Sequence, residues 1–133
     1  MQSKVASVIE AAALLAEWQA AFRRSFRRML NVVLSRRKPV AISTIYDSVP
    51  GLDPGLRTAL APFNDVILRE AVMRRLPVLD LRLVCDEPAD DSSVSPIEPS
   101  AQGGNKNAAA IAELVHVHDP DIKRTIVYSG AIR

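Results

Sequence analysis

Two short stretches rich in β-branched and aliphatic residues, PVAISTIY (39–46) and PVLDLRLV (77–84), stand about thirty residues apart, with a long amphipathic segment between them. A strand can return parallel to its predecessor only through a crossover of a dozen or more residues. Such crossovers are right-handed and lay their helix on the sheet. The pair therefore predicts an α/β chain built on parallel strands. The first stretch is mostly apolar, as a strand buried on both faces is. Between the two, DSVPGLDPG is a turn-rich loop, and Asp53 with Pro54 forms a helix start. Leu56, Leu60, Phe63, Ile67 and Ala71 then supply the buried stripe of a helix ending near Arg75.

Helical periodicity also marks both flanks. Val8, Ala12, Leu15, Phe22, Phe26, Met29 and Val33 recur at helical steps and predict a helix over 7–36, which Pro39 cannot continue. An alanine-rich helix is expected over 102–115. VHVH (115–118) and RTIVYSG (124–130) are further strand candidates. The chain divides into a unit at 1–115 and a C-terminal extension at 116–133.

At 133 residues, 48% hydrophobic and 24% charged, this is one domain of ordinary globular composition. The net charge of +2 argues against nucleic acid as the default partner. Cys85 is the single cysteine, which excludes an internal disulfide and suits a reducing, cytoplasmic setting. The apolar run AAALLA is bracketed by Glu10 and Glu17 and is too short for a signal peptide. No run approaches the roughly 18 apolar residues of a membrane span, so no membrane partner is expected.

In open parallel sheets ligands bind beyond the C-terminal ends of the strands. Two loops belong there, 47–52 and 86–100, and the second leads straight into a helix. TIYD, FNDVILREA, LPVLDLRLVCDEPADD and SPIEPSAQGGNKNAAAIAEL together resemble the C-terminal half of an SGNH (GDSL-like) hydrolase, over roughly residues 12–114. The resemblance rests on order, spacing and phrase. It implies a flavodoxin-like three-layer αβα sandwich with a parallel sheet, here with the N-terminal half of the fold missing. It also implies ester hydrolysis by a Gly-Asp-Ser serine, a glycine and asparagine oxyanion hole, and an Asp-x-x-His pair before the last helix.

Carried onto this chain, those motifs fail. No Gly-Asp-Ser occurs; Ser48 and Ser92 follow an aspartate without the glycine. Asn64, in FND, falls mid-helix, where it is not expected to present its amide at the sheet edge. Ser95-Pro96-Ile97-Glu98 stands where Asp-x-x-His belongs, which puts Glu98 at the family histidine's position. A hydroxyl without an adjacent base is a poor nucleophile, and losing triad members lowers rates by orders of magnitude. The expectation is a truncated or degenerate esterase domain, inactive as an isolated chain.

Glu98 is either a carboxylate base or, by default, a polar residue near a helix N-terminus. Asp86, Asp90 and Asp91 match no standard metal loop and read as a solvated acidic loop. His116 and His118 would share one face of a strand, a pattern open to metal, but no third ligand is identified. No metal or other cofactor is assigned. Cys85 reads as a buried thiol. Arg23, Arg24, Arg27, Arg28, Arg36, Arg37 and Lys38 make the first helix basic; a solvated face is the default, and a binding module for an anionic partner the alternative function. Truncation would leave the 39–46 strand without a neighbour. VAISTIY carries no charge and no internal proline to discourage pairing, so association is expected there, as a homodimer or with a complementary half-domain.

Overall fold

The computed structural model describes residues 7–95 and 97–130. Residues 1–6 of the expected first unit, Pro96 of the tetrapeptide at 95–98 and residues 131–133 of the expected extension lie outside the described residues. In chain order the elements are α1 (Val8–Leu34), β1 (Ile42–Ser43), α2 (Pro54–Arg74), β2 (Val78–Leu79), α3 (Leu81–Val84), α4 (Ala101–Val117) and β3 (Val127–Tyr128), with a 3₁₀ turn at Pro88–Asp90. The strands form one small parallel sheet in the order β1-β2-β3, with Ile42 beside Val78 and Val78 beside Val127. The chain is thus of α/β type. No helix among the described residues is long and apolar enough to cross a membrane.

The helix starts follow from side-chain capping. The Ser7 hydroxyl accepts the Glu10 N–H at 3.2 Å, and Asp53 accepts the Gly55 N–H at 2.7 Å with Pro54 as the first residue of α2. Successive residues of β2 face opposite ways. Val78 joins Leu30, Ile42, Ile67 and Ala71 in one cluster, while Leu79 joins Val84, Cys85, Ala110 and Leu114 in the other. Helices therefore lie on both faces of the sheet.

Several sequence expectations need correction. The first strand, expected over 39–46 and buried on both faces, is confined to Ile42–Ser43, and Ala41, Ser43 and Ile45 are exposed because only one side of alternating residues meets the core. Leu56, expected in the buried stripe of α2, is 59% exposed. The strand expected over 77–84 stops after Leu79, because the Asp80 carboxylate accepts the Arg82 N–H at 3.2 Å and caps a short helix, α3. Alternation in LDLRLV had the strand period, but an aspartate at its centre offered the backbone a different partner. VHVH is no strand: His116 lies in the last turn of α4 and His118 caps it, since no glycine or proline breaks the helix before Pro120. The two histidines therefore do not share a strand face. The buried line of α1 runs through Phe22, Phe26 and Leu30, while Met29 and Val33 remain 47% and 38% exposed. A 27-residue helix rotates past any fixed three-four spacing. RTIVYSG does hold a strand, β3, so part of the stretch at 116–133 belongs to the same sheet.

The basic face of α1 is not wholly solvated either. Glu70 of α2 is fully buried against it. Arg27 Nε donates to Glu70 Oε1 at 2.7 Å, Arg74 Nη1 to Glu70 Oε2, and Arg23 Nε stands 3.8 Å away. Burial alone would push the Glu70 carboxyl up; the Arg27 and Arg74 hydrogen bonds reverse this and hold it below the usual glutamate value. Glu70→Ala removes two charge-assisted hydrogen bonds but leaves arginines that are 19–44% exposed, and should cost about 1.5–3 kcal/mol in urea unfolding at neutral pH. A depressed pKa means the stabilisation is complete above the unfolded glutamate value of about 4.3 and is lost as pH falls through the folded value. The gap between variant and wild type should therefore narrow on acidification.

Candidate functional site

Apart from Glu70, the buried polar side chains among the described residues gather beyond the C-terminal ends of β1 and β2. The Thr44 hydroxyl donates to Asp80 Oδ1 at 2.9 Å and accepts the Leu81 N–H at 2.9 Å. Arg82 Nε and Nη2 donate to the two Asp80 oxygens at 2.8 and 2.6 Å. These Arg82 bonds outweigh burial and, with Thr44, lower the Asp80 pKa. Neither Thr44 nor Asp80 stood out in the sequence reading, although an aspartate at the end of an apolar strand is a legible signal.

Asn64 overturns the expectation that a mid-helix amide stays away from the sheet. It is 2% exposed; its Oδ1 accepts the Ile45 N–H at 2.8 Å and its Nδ2 donates to the Ile45 carbonyl at 2.9 Å. Helix α2 crosses beside the end of β1, so one side chain reaches both main-chain groups of Ile45. The amide thereby closes the backbone of the strand end and offers no oxyanion hole.

The loop at 86–100 is not simply solvated. Asp90 and Asp91 are 1% and 7% exposed. The Asp90 carboxylate accepts from Lys106 Nζ at 2.8 Å, Gln102 Nε2 at 3.0 Å and the Glu87 N–H at 3.0 Å, tying the loop to α4. Burial would raise its pKa, but Lys106 and these other donors bring it below the usual aspartate value. The phrase EPSAQGG has a mechanical reading here. Ser100 caps α4 by accepting the Gly103 N–H at 3.1 Å, and its hydroxyl donates to the Ala89 carbonyl at 2.6 Å. A Cβ on Gly103 would lie 2.0 Å from the Asp90 carbonyl oxygen, so only glycine lets the helix dock on the loop. Gly104 has no such neighbour.

Asp91 is the anomaly. Neither carboxylate oxygen has a hydrogen-bond partner among the described residues. Burial and the adjacent Asp90 push its pKa up. Burial first, then Asp91, Cys85 and Glu98, raise the Tyr46 hydroxyl as well. Glu98 itself is exposed. Its main chain bonds Ser95 and Ser92 at 2.9 and 2.8 Å, and its side chain makes no hydrogen bond or ion pair among the described residues. Tyr46 lies within its electrostatic reach, but no histidine does: α4 carries His116 and His118 to the opposite end of the sheet. The Ser92 hydroxyl accepts the Val94 N–H at 3.2 Å, a loop contact. The Cys85 thiol is buried against Asn107 Oδ1 at 3.1 Å; burial and Asp90 raise its pKa, so it is no thiolate nucleophile.

Beside this polar group lies an apolar cavity of about 450 Å³, walled by Trp18, Leu56, Leu60 and Phe63 and bounded by Tyr46 and Ile97. The Tyr46 hydroxyl donates to the Ile97 carbonyl at 2.6 Å and pins the acidic loop at its rim. The arrangement can hold an apolar group next to carboxylates; it assembles no nucleophile with a base. Among the described residues no three His, Cys, Asp or Glu side chains converge as metal ligands. Comparison with family models, curated proteins and solved structures found no match for this chain.

Two substitutions test this description. Gly103→Ala should destabilise by roughly 2 kcal/mol or more through its clash with Asp90, whereas Gly104→Ala should stabilise by up to about 1 kcal/mol; thermal melts of the pair decide. Asp91→Asn keeps a polar side chain in place but removes the buried negative charge beside Asp90, and should raise stability at neutral pH. A raised folded pKa means the penalty is absent below the unfolded aspartate value of about 3.9 and develops as pH rises through the folded value. The advantage of the asparagine should accordingly vanish in acid.

Proposed function

We propose that this chain is a truncated or degenerate SGNH-hydrolase-like domain, the second half of a flavodoxin-like three-layer sandwich. It is inactive alone and docks through β1 onto a complementary half, its own second copy being the fallback partner. The observation that carries this reading is the open side of β1. Ile42 and Thr44 donate to the Pro77 and Leu79 carbonyls at 3.0 and 3.1 Å, so alternation turns Ala41 and Ser43 to the other side. Both are exposed and uncharged, and no described strand lies on that side of β1, whose pairing is with β2 alone.

The surroundings support the same reading. Next to α4 the face of β1 opens into a hollow of about 320 Å³ lined by Ala41, Ser43, Leu81, Ile111 and Val115. On the other face the start of α1 leaves Val8, Ile9 and Trp18 85%, 81% and 53% exposed. Of these, Trp18 lines the cavity that Ile45 and Tyr46 share at the end of the strand, and apolar surface beside an open strand edge is what a removed neighbour leaves behind. In this reading the missing half supplies the serine and the oxyanion donors. The apolar cavity beside Tyr46 would take the acyl part of an ester. Glu98, at the position of the family histidine and free of other partners, would face the reacting centre as a weak base.

Sedimentation and hydrogen exchange test the docking. The isolated chain should associate with rising concentration, and the Ala41 and Ser43 amides should gain protection only on association. Ser43→Lys, which places a charge on the edge without touching an internal hydrogen bond, should weaken association by about tenfold or more. The chain alone should turn over no short acyl ester above background. A stable monomer at tens of micromolar with those amides already protected would mean the sheet is complete and the half-domain reading is wrong. Stoichiometric labelling of one serine by a fluorophosphonate probe, with loss of turnover, would equally reject it.

A further inference from the structure

The opposite end of the sheet, where the strands begin, holds a second hollow of about 340 Å³. Three separate turns wall it, and each brings cations. Arg37 and Lys38 come from the turn after α1, Arg74 and Arg75 from the end of α2, and Lys123 from the loop after α4. No aspartate or glutamate lines it. Arg74 is engaged by Glu70 and Asn31. The side chains of Arg37, Lys38, Arg75 and Lys123 make no hydrogen bond or ion pair among the described residues. A concavity lined by one sign of charge focuses its field and draws counter-ions.

The backbone adds an independent observation. Arg37 and Arg75, with φ of 53° and 59°, are the only non-glycine residues among the described ones in the left-handed region. Just past a helix C-terminus glycine takes that conformation without a steric cost. Here arginine occupies it twice, and both arginines line the same hollow. Helix dipoles explain cations in a last turn. They explain neither the choice of arginine over glycine at two strained positions nor Lys123, which belongs to a different segment.

We propose that this hollow is a binding site for a small phosphorylated molecule, independent of the half-domain reading of the other edge. Guanidinium forks match phosphoryl oxygens two at a time, and a lysine adds a point charge. Leu76, Pro77 and Ile122 give an apolar wall for the organic frame. The volume lies at the small end of the roughly 300–1,000 Å³ typical of small-molecule sites. It suits one or two phosphoryl groups rather than a polymer, and no aromatic side chain other than His118 lines it for base stacking.

The test is calorimetric titration of the full chain with inorganic pyrophosphate at low salt, alongside thermal melts. Saturable binding with a Kd below about 1 mM is expected. Arg37→Gly and Arg75→Gly should each weaken it about tenfold or more while melting close to or above wild type, because glycine relieves the left-handed strain. Lys123→Gln, on an exposed loop, removes one charge without touching a helix end and should weaken binding as well. Arg24→Gln with Arg28→Gln, both on the exposed side of α1, should leave it unchanged. Absence of saturable binding would overturn the proposal. So would an equal loss in the Arg24/Arg28 variant, or pyrophosphate affinity that survives all three changes in the hollow.

Discussion

Two residues, Val78 and Leu79, carry the architecture. Their strand is the only described one bonded on both sides: Pro77 and Leu79 accept from β1, while Val78 and Asp80 donate to Ile126 and Tyr128 at 2.9 and 2.7 Å. Their side chains are 0% and 4% exposed and seat one in each hydrophobic cluster. Backbone pairing and side-chain alternation thus fix both neighbours of the sheet and both helical layers from a single point. The chain leaves the strand at Asp80, and that exit puts a buried carboxylate under the C-terminal edge.

The direction of the helices divides the molecule electrically. Parallel strands joined by crossovers place helix starts at one edge and helix ends at the other. Asp53, Asp80 and the Asp90–Glu98 loop gather at the starts, and Arg37, Arg74 and Arg75 at the ends. Arg82 and Lys106 at the first edge are paired with Asp80 and Asp90, whereas Arg37 and Arg75 at the second carry no such partner among the described residues. The near-neutral total of +2 conceals this separation.

What the sequence made legible was local. Asp53-Pro54 as a helix start and a strand somewhere within 39–46 depend on neighbours a few residues away, and the parallel pairing follows from the length of the segment between the two strands. The errors at LDLRLV and VHVH arose where an alternating pattern met a competing local choice, an N-cap in one case and an unbroken helix in the other. The buried charges were illegible for a different reason. Glu70 is neutralised by Arg27, 43 residues away, and Asp90 by Lys106, 16 away, so sequence alone presents each as a surface charge. Of the candidate site, the position of Glu98 in the loop before α4 was readable. The link between Asn64 and Ile45 was not, because a helix interior gives no sign of what its side chains reach.

That link has a further consequence. Asn64 gives Ile45 both hydrogen bonds a neighbouring strand would supply, so the open side of β1 is interrupted by an amide that belongs to the chain itself. A segment laid alongside would find Ala41 and Ser43 and then meet an occupied position. Such a ladder is short, has one permitted register and cannot be extended towards the loop at 47–52. A flat, uninterrupted edge recruits strands without limit; this one is punctuated, and punctuation of that kind separates a discrete mate from a fibril.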